Sequence, residues 1–147
     1  MTLLATSFGP DSLAIVETIG NRTEAIELSG QLLERSGRVN TEYIASMLAA
    51  VEKFGPYIVI APGIALAHGK SEDGVIETGL SLLVIREPLR FGHEHNDPVS
   101  LVFGLAAKDH GSHVELMGEL AEFLGNQANV NSLLQAADLS QLRSLLS

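Results

Sequence analysis

Apolar residues fall along this chain in two patterns: consecutive runs, and positions that return every three or four residues. The runs predict strands. Leu13 to Glu17 (Leu-Ala-Ile-Val-Glu) is short and branched, and Tyr57 to Ala61 is a β-branched run suited to a buried strand. Pro62-Gly63 then predicts a turn into a second extended piece, Ile64-Ala65-Leu66, ending at His68-Gly69. Ser81 to Arg86 and Val99 to Leu105 predict two further strands. The periodic segments predict helices. Thr23 to Glu34 carries Ala25, Leu28, Leu32 and Leu33 on one stripe, with Asn21 as N-cap and Gly37 at its end. Thr41 to Phe54 carries Ile44, Met47, Leu48 and Val51, with Asn40 as cap and Glu42 in the first turn. Ser112 to Leu124 carries Val114, Met117, Ala121 and Leu124, and short helices follow over Asn131–Ala136 and Ser140–Leu146.

Strands that read as continuous apolar runs must be covered on both faces, and only helices are left to cover them. The expected fold is therefore α/β: a central mixed β-sheet of about four to five strands between helical layers, as one domain over residues 1–147. The hydrophobic fraction of 46% fits a globular fold rather than disorder. The most apolar window, Tyr57 to Ala67, is too short to span a bilayer and contains Pro62 and Gly63. No basic, apolar leader opens the chain, so the expected location is cytoplasmic.

Charge and composition narrow the chemistry. With 18 acidic and 9 basic residues the net charge is −9, which argues against a nucleic-acid partner and either favours a protein partner with a positive surface or serves only to keep the protein soluble. Absence of cysteine excludes disulfides, thiolate nucleophiles and Cys-based zinc sites. There is no Walker loop, G-x-G-x-x-G, H-E-x-x-H or G-x-S-x-G, so histidine is the main lead.

Five histidines are present: His68, His93, His95, His110 and His113. His68 follows an apolar run between two small residues, Ala67 and Gly69, where a partner can approach the ring. Gly69 lets backbone N–H groups turn toward an anion, so it is a candidate phosphate-binding position. A neutral imidazole is a good nucleophile near neutral pH. Spacing alone leaves open the plainer reading, a hydrogen-bonded histidine at a strand end. Ser112-x-x-Glu115 is a capping box, which predicts Ser112 as N-cap and His113 as first helical residue. That would place His113 beside free N–H groups and make Ser112 a phosphate-binding candidate. An ordinary surface histidine at a helix start is the alternative. His93 and His95 have i, i+2 spacing that on a strand would suit a metal, but Gly92, Asn96, Asp97 and Pro98 predict a solvated loop. His110 is expected in a loop, and Lys70, Arg86 and Arg90 as surface charges.

The segment Phe54-Gly55-Pro56-Tyr57-Ile58-Val59-Ile60-Ala61-Pro62-Gly63-Ile64-Ala65-Leu66-Ala67-His68-Gly69-Lys70 resembles the active-site segment of phosphotransferase-system (PTS) enzyme IIA proteins of the mannitol/fructose type (EIIA type-2), and is most similar to the L-ascorbate-specific branch. The likeness continues through Asp73-Gly74-Val75, Thr78-Gly79, Glu87-Pro88-Leu89, Asn96-Asp97-Pro98-Val99 and His113, covering roughly Tyr43 to Leu124. The resemblance implies a phosphoryl carrier in which His68 takes phosphate from the phosphocarrier HPr as a tele-phosphohistidine. His68 then passes it to the cysteine of a cognate enzyme IIB, with the membrane enzyme IIC served indirectly and L-ascorbate as the implied sugar. It makes His113 the stabiliser of the phosphoryl group and calls for no cofactor and no metal. Ala67 departs from the family, which places proline before the active histidine; alanine leaves that backbone freer. Ile64, Leu66 and Ala67 are candidates for a docking patch, with a core role as the alternative. Two other functions stay open: a regulatory module of the same type, and a metallohydrolase using His93, His95 and His110 or His113.

Overall fold

A computed structural model describes residues 2–147. The elements run α1 (Leu3–Ser7), β1 (Leu13–Val16), α2 (Arg22–Arg35), α3 (Glu42–Phe54), β2 (Val59–Ala61), β3 (Ile64–His68), β4 (Gly79–Leu89), β5 (Val99–Ala106), α4 (His110–Leu124), α5 (Gln127–Gln135) and α6 (Leu139–Leu145). The five strands form one mixed sheet in the order β1-β4-β5-β3-β2. β1 runs parallel to β4 and β3 parallel to β5, whereas β4–β5 and β2–β3 are antiparallel.

Alternation along the strands builds two cores. Leu80, Leu82 and Val84 of β4 join Leu101, Phe103 and Leu105 of β5 on one face, under Leu116, Leu120, Leu133 and Leu142 of α4–α6. Leu83 and Ile85 join Val102 and Ala106 on the other face, under Ile26 and Leu33 of α2 and Tyr43 and Met47 of α3. Successive strand side chains point to opposite faces, so two buried faces require a continuous apolar run. Burying each such side chain contributes about 1.5–3 kcal/mol. Helix α2 lies close on the sheet at Gly104, where a Cβ would fall 3.2 Å from the Ser29 carbonyl oxygen of that helix and 2.4 Å from Ser81 Oγ of neighbouring β4. Buried Ser81 is satisfied by donating to the Ser29 carbonyl at 2.8 Å. Among the described residues, no helix is long and apolar enough to cross a membrane.

Some boundaries differ from the sequence expectation. The strand expected from Tyr57 starts only at Val59, because Gly55–Ile58 forms a 3₁₀ turn. Gly55 takes φ +72° and Pro56 has no N–H for a ladder, so the chain turns before it extends. Asn40 does not cap α3. Thr41 holds the N-cap position without a side-chain bond, and Asn40 is tied instead to the Gly74 carbonyl beside the Val39–Val75 bridge. The C-terminal helices start earlier than expected, after the side-chain caps Asn126 and Asp138. α1, capped by Thr2 Oγ1 at 3.1 Å, was not anticipated.

Candidate functional site

β3 and β5 are parallel neighbours that end at the same edge of the sheet, with His68 opposite Leu105 in register. Helix α4 begins four residues past the end of β5 and so starts at that edge. This brings together two histidines 45 positions apart in the chain. The His68 and His113 rings lie edge to face with centroids 5.7 Å apart.

His68 is half-buried. Its Nδ1 is sealed from solvent and has no hydrogen-bond partner, so Nε2 is the nitrogen left to the surface. Burial, and after it the neighbouring His113, hold His68 below the ordinary imidazole pKa; the Leu66 carbonyl pulls the other way without completing a well-formed hydrogen bond. His68 is therefore a neutral imidazole at neutral pH, and the tautomer with its proton on Nδ1 leaves the lone pair at the accessible nitrogen. Ala67 does not loosen the approach. It is 1% exposed and stands opposite Gly104 in regular strand.

His113 is near His68, but not for the expected reason. Asp109, not Ser112, is the N-cap of α4: its Oδ1 accepts the Ser112 N–H at 2.7 Å. His113 is thus the fourth helical residue, and its N–H already donates to the Asp109 carbonyl at 3.1 Å. Aspartate is as good a cap as serine, and it lies three residues nearer the strand end. The capped Asp109 carboxyl is held below its usual range by that backbone bond. The first-turn N–H groups of His110 and Gly111 have no intrahelical acceptor. Ser112 N–H, by contrast, is taken.

The nest expected at Gly69 is closed as well. Gly69 N–H donates to Tyr43 Oη at 2.9 Å, and Lys70 N–H to Ser46 Oγ at 2.9 Å. Glycine is required at position 69 by contact, since a Cβ there would lie 2.6 Å from Ser46 Oγ and 3.0 Å from the Met47 backbone nitrogen.

A groove of about 500 Å³ opens beside His68, between α3 and the turn that follows it. Its rim carries large exposed apolar side chains, Phe54 (58%), Tyr57 (81%) and Ile60 (46%). Lys53 Nζ sits 5.4 Å from the Phe54 ring centroid. The docking patch expected at Ile64, Leu66 and Ala67 is not on the surface: all three are at most 3% exposed, because β3 is an interior strand with helices on both faces. The sequence reading missed Phe54, Tyr57, Ile60, Tyr43, Ser46 and Asp109. Only Asp109 carried a local signal, as a capping residue just after an apolar strand.

The other candidates lie apart from this arrangement. His93 Nδ1 accepts from the His95 and Asn96 N–H groups at 3.1 and 3.0 Å, so this pair is built into a turn rather than displayed on a strand. Among the described residues, no three His, Asp or Glu side chains are grouped closely enough to hold a metal ion, which leaves the metallohydrolase reading without a site. Arg86 is occupied with the carbonyls of Leu134 and Ala136.

Comparison with known proteins bears on this site. A family model described as "Phosphoenolpyruvate-dependent sugar phosphotransferase system, EIIA 2" matches residues 7–147. The "Ascorbate-specific PTS system EIIA component" of Salmonella choleraesuis is 40% identical over 111 residues, which span 75% of this chain and 72% of that protein. The solution structure of the mannitol-specific cryptic phosphotransferase enzyme IIA CmtB from Escherichia coli is similar with a TM-score of 0.87 and 28% identity, covering 99% of both chains. A complex of mannitol enzyme IIA with phosphorylated enzyme IIB from Escherichia coli contains a chain similar at a TM-score of 0.81 and 28% identity, covering 94% of this chain and 95% of that one.

Proposed function

The chain belongs to the EIIA type-2 family of the phosphoenolpyruvate-dependent sugar phosphotransferase system, and from that premise we propose that His68 Nε2 is the phosphoryl-carrying atom of an L-ascorbate uptake system. As an EIIA component the chain is a phosphotransferase that passes phosphate to enzyme IIB. Phosphate arrives from the phosphohistidine of HPr and leaves to the cysteine of the cognate enzyme IIB in the cytoplasm, with enzyme IIC served downstream. The L-ascorbate assignment draws on the name of the Salmonella relative.

The observation that carries the reading is the asymmetry of the His68 ring. One nitrogen is sealed and unpartnered, and the other is left to the surface. In the first transfer the Nε2 lone pair forms an N–P bond while the P–N bond to the donor histidine breaks. In the second, a thiolate sulfur forms the S–P bond and the His68 N–P bond breaks, returning a neutral imidazole. Such transfers pass through a loose transition state, so the protein's contribution is position and charge. The proximity of His113, 5.7 Å away ring to ring, supports a role for it as donor to phosphoryl oxygens. The apolar rim of Phe54, Tyr57 and Ile60 offers both partners the same small patch to dock on in turn.

The test is phosphorylation by phosphoenolpyruvate, enzyme I and HPr. The expected product is one acid-labile phosphate, mapped to His68 Nε2 by 31P and 15N NMR, and passed on fastest to an L-ascorbate enzyme IIB. Phosphate found on Nδ1, or undiminished labelling of His68→Ala, would refute the assignment. Faster delivery to another enzyme IIB would replace only the sugar.

A further inference from the structure

His68 must be aimed precisely enough to serve two partners, yet its ring makes no orienting hydrogen bond through Nδ1. Histidines that work are usually held by such a bond. Here the orientation has to come from packing and from the backbone on either side of the residue. Upstream, β3 is fixed by its register with β5. Downstream, α3 takes over.

Tyr43 and Ser46 lie three residues apart on α3, and so share a face of that helix. Tyr43 Oη accepts from Gly69 N–H at 2.9 Å and donates to the Leu105 carbonyl at 2.7 Å. Leu105 is the residue opposite His68 in the β3–β5 ladder. The hydroxyl is therefore inserted at the end of the ladder, where it joins the two strands through a side chain. Tyrosine suits the role because its hydroxyl both donates and accepts. Burial pushes the Tyr43 phenol up to about 12, so it keeps the proton it donates. Ser46 Oγ repeats the device one residue on, accepting from Lys70 N–H at 2.9 Å and donating to Asp73 Oδ2 at 2.8 Å. The two backbone donors that follow the nucleophile are thus both held by one helix, with no room between them and it for even a methyl group on Gly69.

We infer that Tyr43 and Ser46 form a positioning clamp, whose hydroxyls fix the Gly69–Lys70 backbone and thereby hold the His68 ring at its working distance from His113. The clamp rests on the reading of His68 as the phosphorylated residue. Neither hydroxyl meets the phosphoryl group, since both are spent on backbone and on Asp73. Removing Tyr43 Oη leaves a buried carbonyl and an N–H to find each other directly, which moves the residue next to His68.

The experiment is single-turnover phosphate uptake from phospho-HPr by wild type, Tyr43→Phe, Ser46→Ala and Ser46→Thr, with circular dichroism of each. Misplacement of the nucleophile by a fraction of an ångström to an ångström should lower the maximal transfer rate of Tyr43→Phe roughly 10- to 100-fold. The half-saturating HPr concentration should not change, because the docking rim is untouched. Ser46→Ala should fall in the same direction, and Ser46→Thr, which keeps the hydroxyl, should recover. A folded Tyr43→Phe with the wild-type maximal rate, or with only a changed half-saturating concentration, overturns the clamp. If Tyr43→Phe fails to fold, equal rates for Ser46→Ala and Ser46→Thr overturn it. Wild type that takes no label overturns the carrier reading and the clamp with it, whereas a labelled wild type matched by Tyr43→Phe and Ser46→Ala overturns the clamp alone.

Discussion

Two pairs of histidines come close in this molecule, and their rings are at nearly the same distance. His68 and His113 have centroids 5.7 Å apart, and His93 and His95 6.3 Å apart. The second pair is close because it is close in sequence. It sits in a surface turn where His93 Nδ1 caps two backbone N–H groups and the His95 side chain is 79% exposed. The first pair is assembled by topology, from the ends of a parallel strand pair and the helix beyond. Its leading member has one nitrogen sealed and its proton affinity lowered by burial and by its neighbour. Ring proximity is common to both. What distinguishes the first pair is a desolvated environment at the end of two strands and an apolar groove where a partner can settle.

The most direct way to break this comparison is to remove each pair in turn. His68→Ala should abolish phosphate uptake from phospho-HPr. The double variant His93→Ala, His95→Ala should keep the wild-type rate, measured in the same rapid-quench assay. Uptake lost in the double variant would make the surface pair part of the transfer machinery and dissolve the contrast.

His113 tests whether the first pair acts as a pair. A donor aimed at charge that develops in a transition state is commonly worth on the order of 10²-fold in rate. His113→Ala should slow transfer by that order in both directions, with an unchanged far-ultraviolet spectrum. Equal rates to and from HPr for variant and wild type would leave His68 acting alone.

Proton affinity gives a smaller and sharper test. The pKa of His68 is lowered in the folded chain, first by burial and then by His113. The unfolded chain therefore binds this proton more readily. Stability contributed at His68 is fully present above the unfolded value of about 6.5 and is lost as pH falls through the lowered folded value. NMR titration of the folded protein should place the His68 midpoint below 6.5. His113→Ala should raise that midpoint without restoring the ordinary value, because burial is the larger cause. Urea titrations between about pH 7 and pH 5 should show a weaker loss of stability for His68→Gln than for wild type. A His68 midpoint at or above 6.5 would contradict the desolvated site.

The strands were legible because burial on both faces leaves few polar positions, as Leu82 to Ile85 and Leu101 to Phe103 illustrate. His68 stands out as the proposed carrier through its flanking segment. The surroundings of His68 were not. Asp109 and Ser112 are both good caps, and only the end of β5 at Ala106 decides for the earlier one. Ile64 and Leu66 read as a patch because sequence does not say which strand is interior. Tyr43 joins backbone groups 26 and 62 positions away, so its role has no local signature. Tyr43 lies outside the stripe read along α3, and its burial with Met47 and Val51 by itself suggests nothing beyond core.

Two glycines carry the comparison to the backbone. Gly69 and Gly92 adjoin the two pairs, and each resists a side chain for a different reason. At Gly69 the obstacle is contact, with Ser46 Oγ at 2.6 Å and the Met47 backbone at 3.0 Å from a Cβ. At Gly92 it is conformation: φ is +98°, whereas the nearest atom, Arg22 Nη1, is 3.7 Å away. Gly69→Ala should cost about 1–3 kcal/mol as overpacking, and Gly92→Ala about 1–2 kcal/mol as left-handed strain. The causes separate in combination with Ser46→Gly. Crowding is shared between residues 69 and 46, so Gly69→Ala with Ser46→Gly should be less destabilised than the sum of the two. Gly92→Ala with Ser46→Gly should be additive. Thermal unfolding measures both, and phosphate uptake completes the contrast. The backbone pushed aside at Gly69 belongs to the residue after His68, the proposed nucleophile, so uptake should slow there and stay at the wild-type rate for Gly92→Ala. Equal uptake by the two variants would mean that the position of Gly69 is a matter of stability alone, and that the two regions differ less than their surroundings imply.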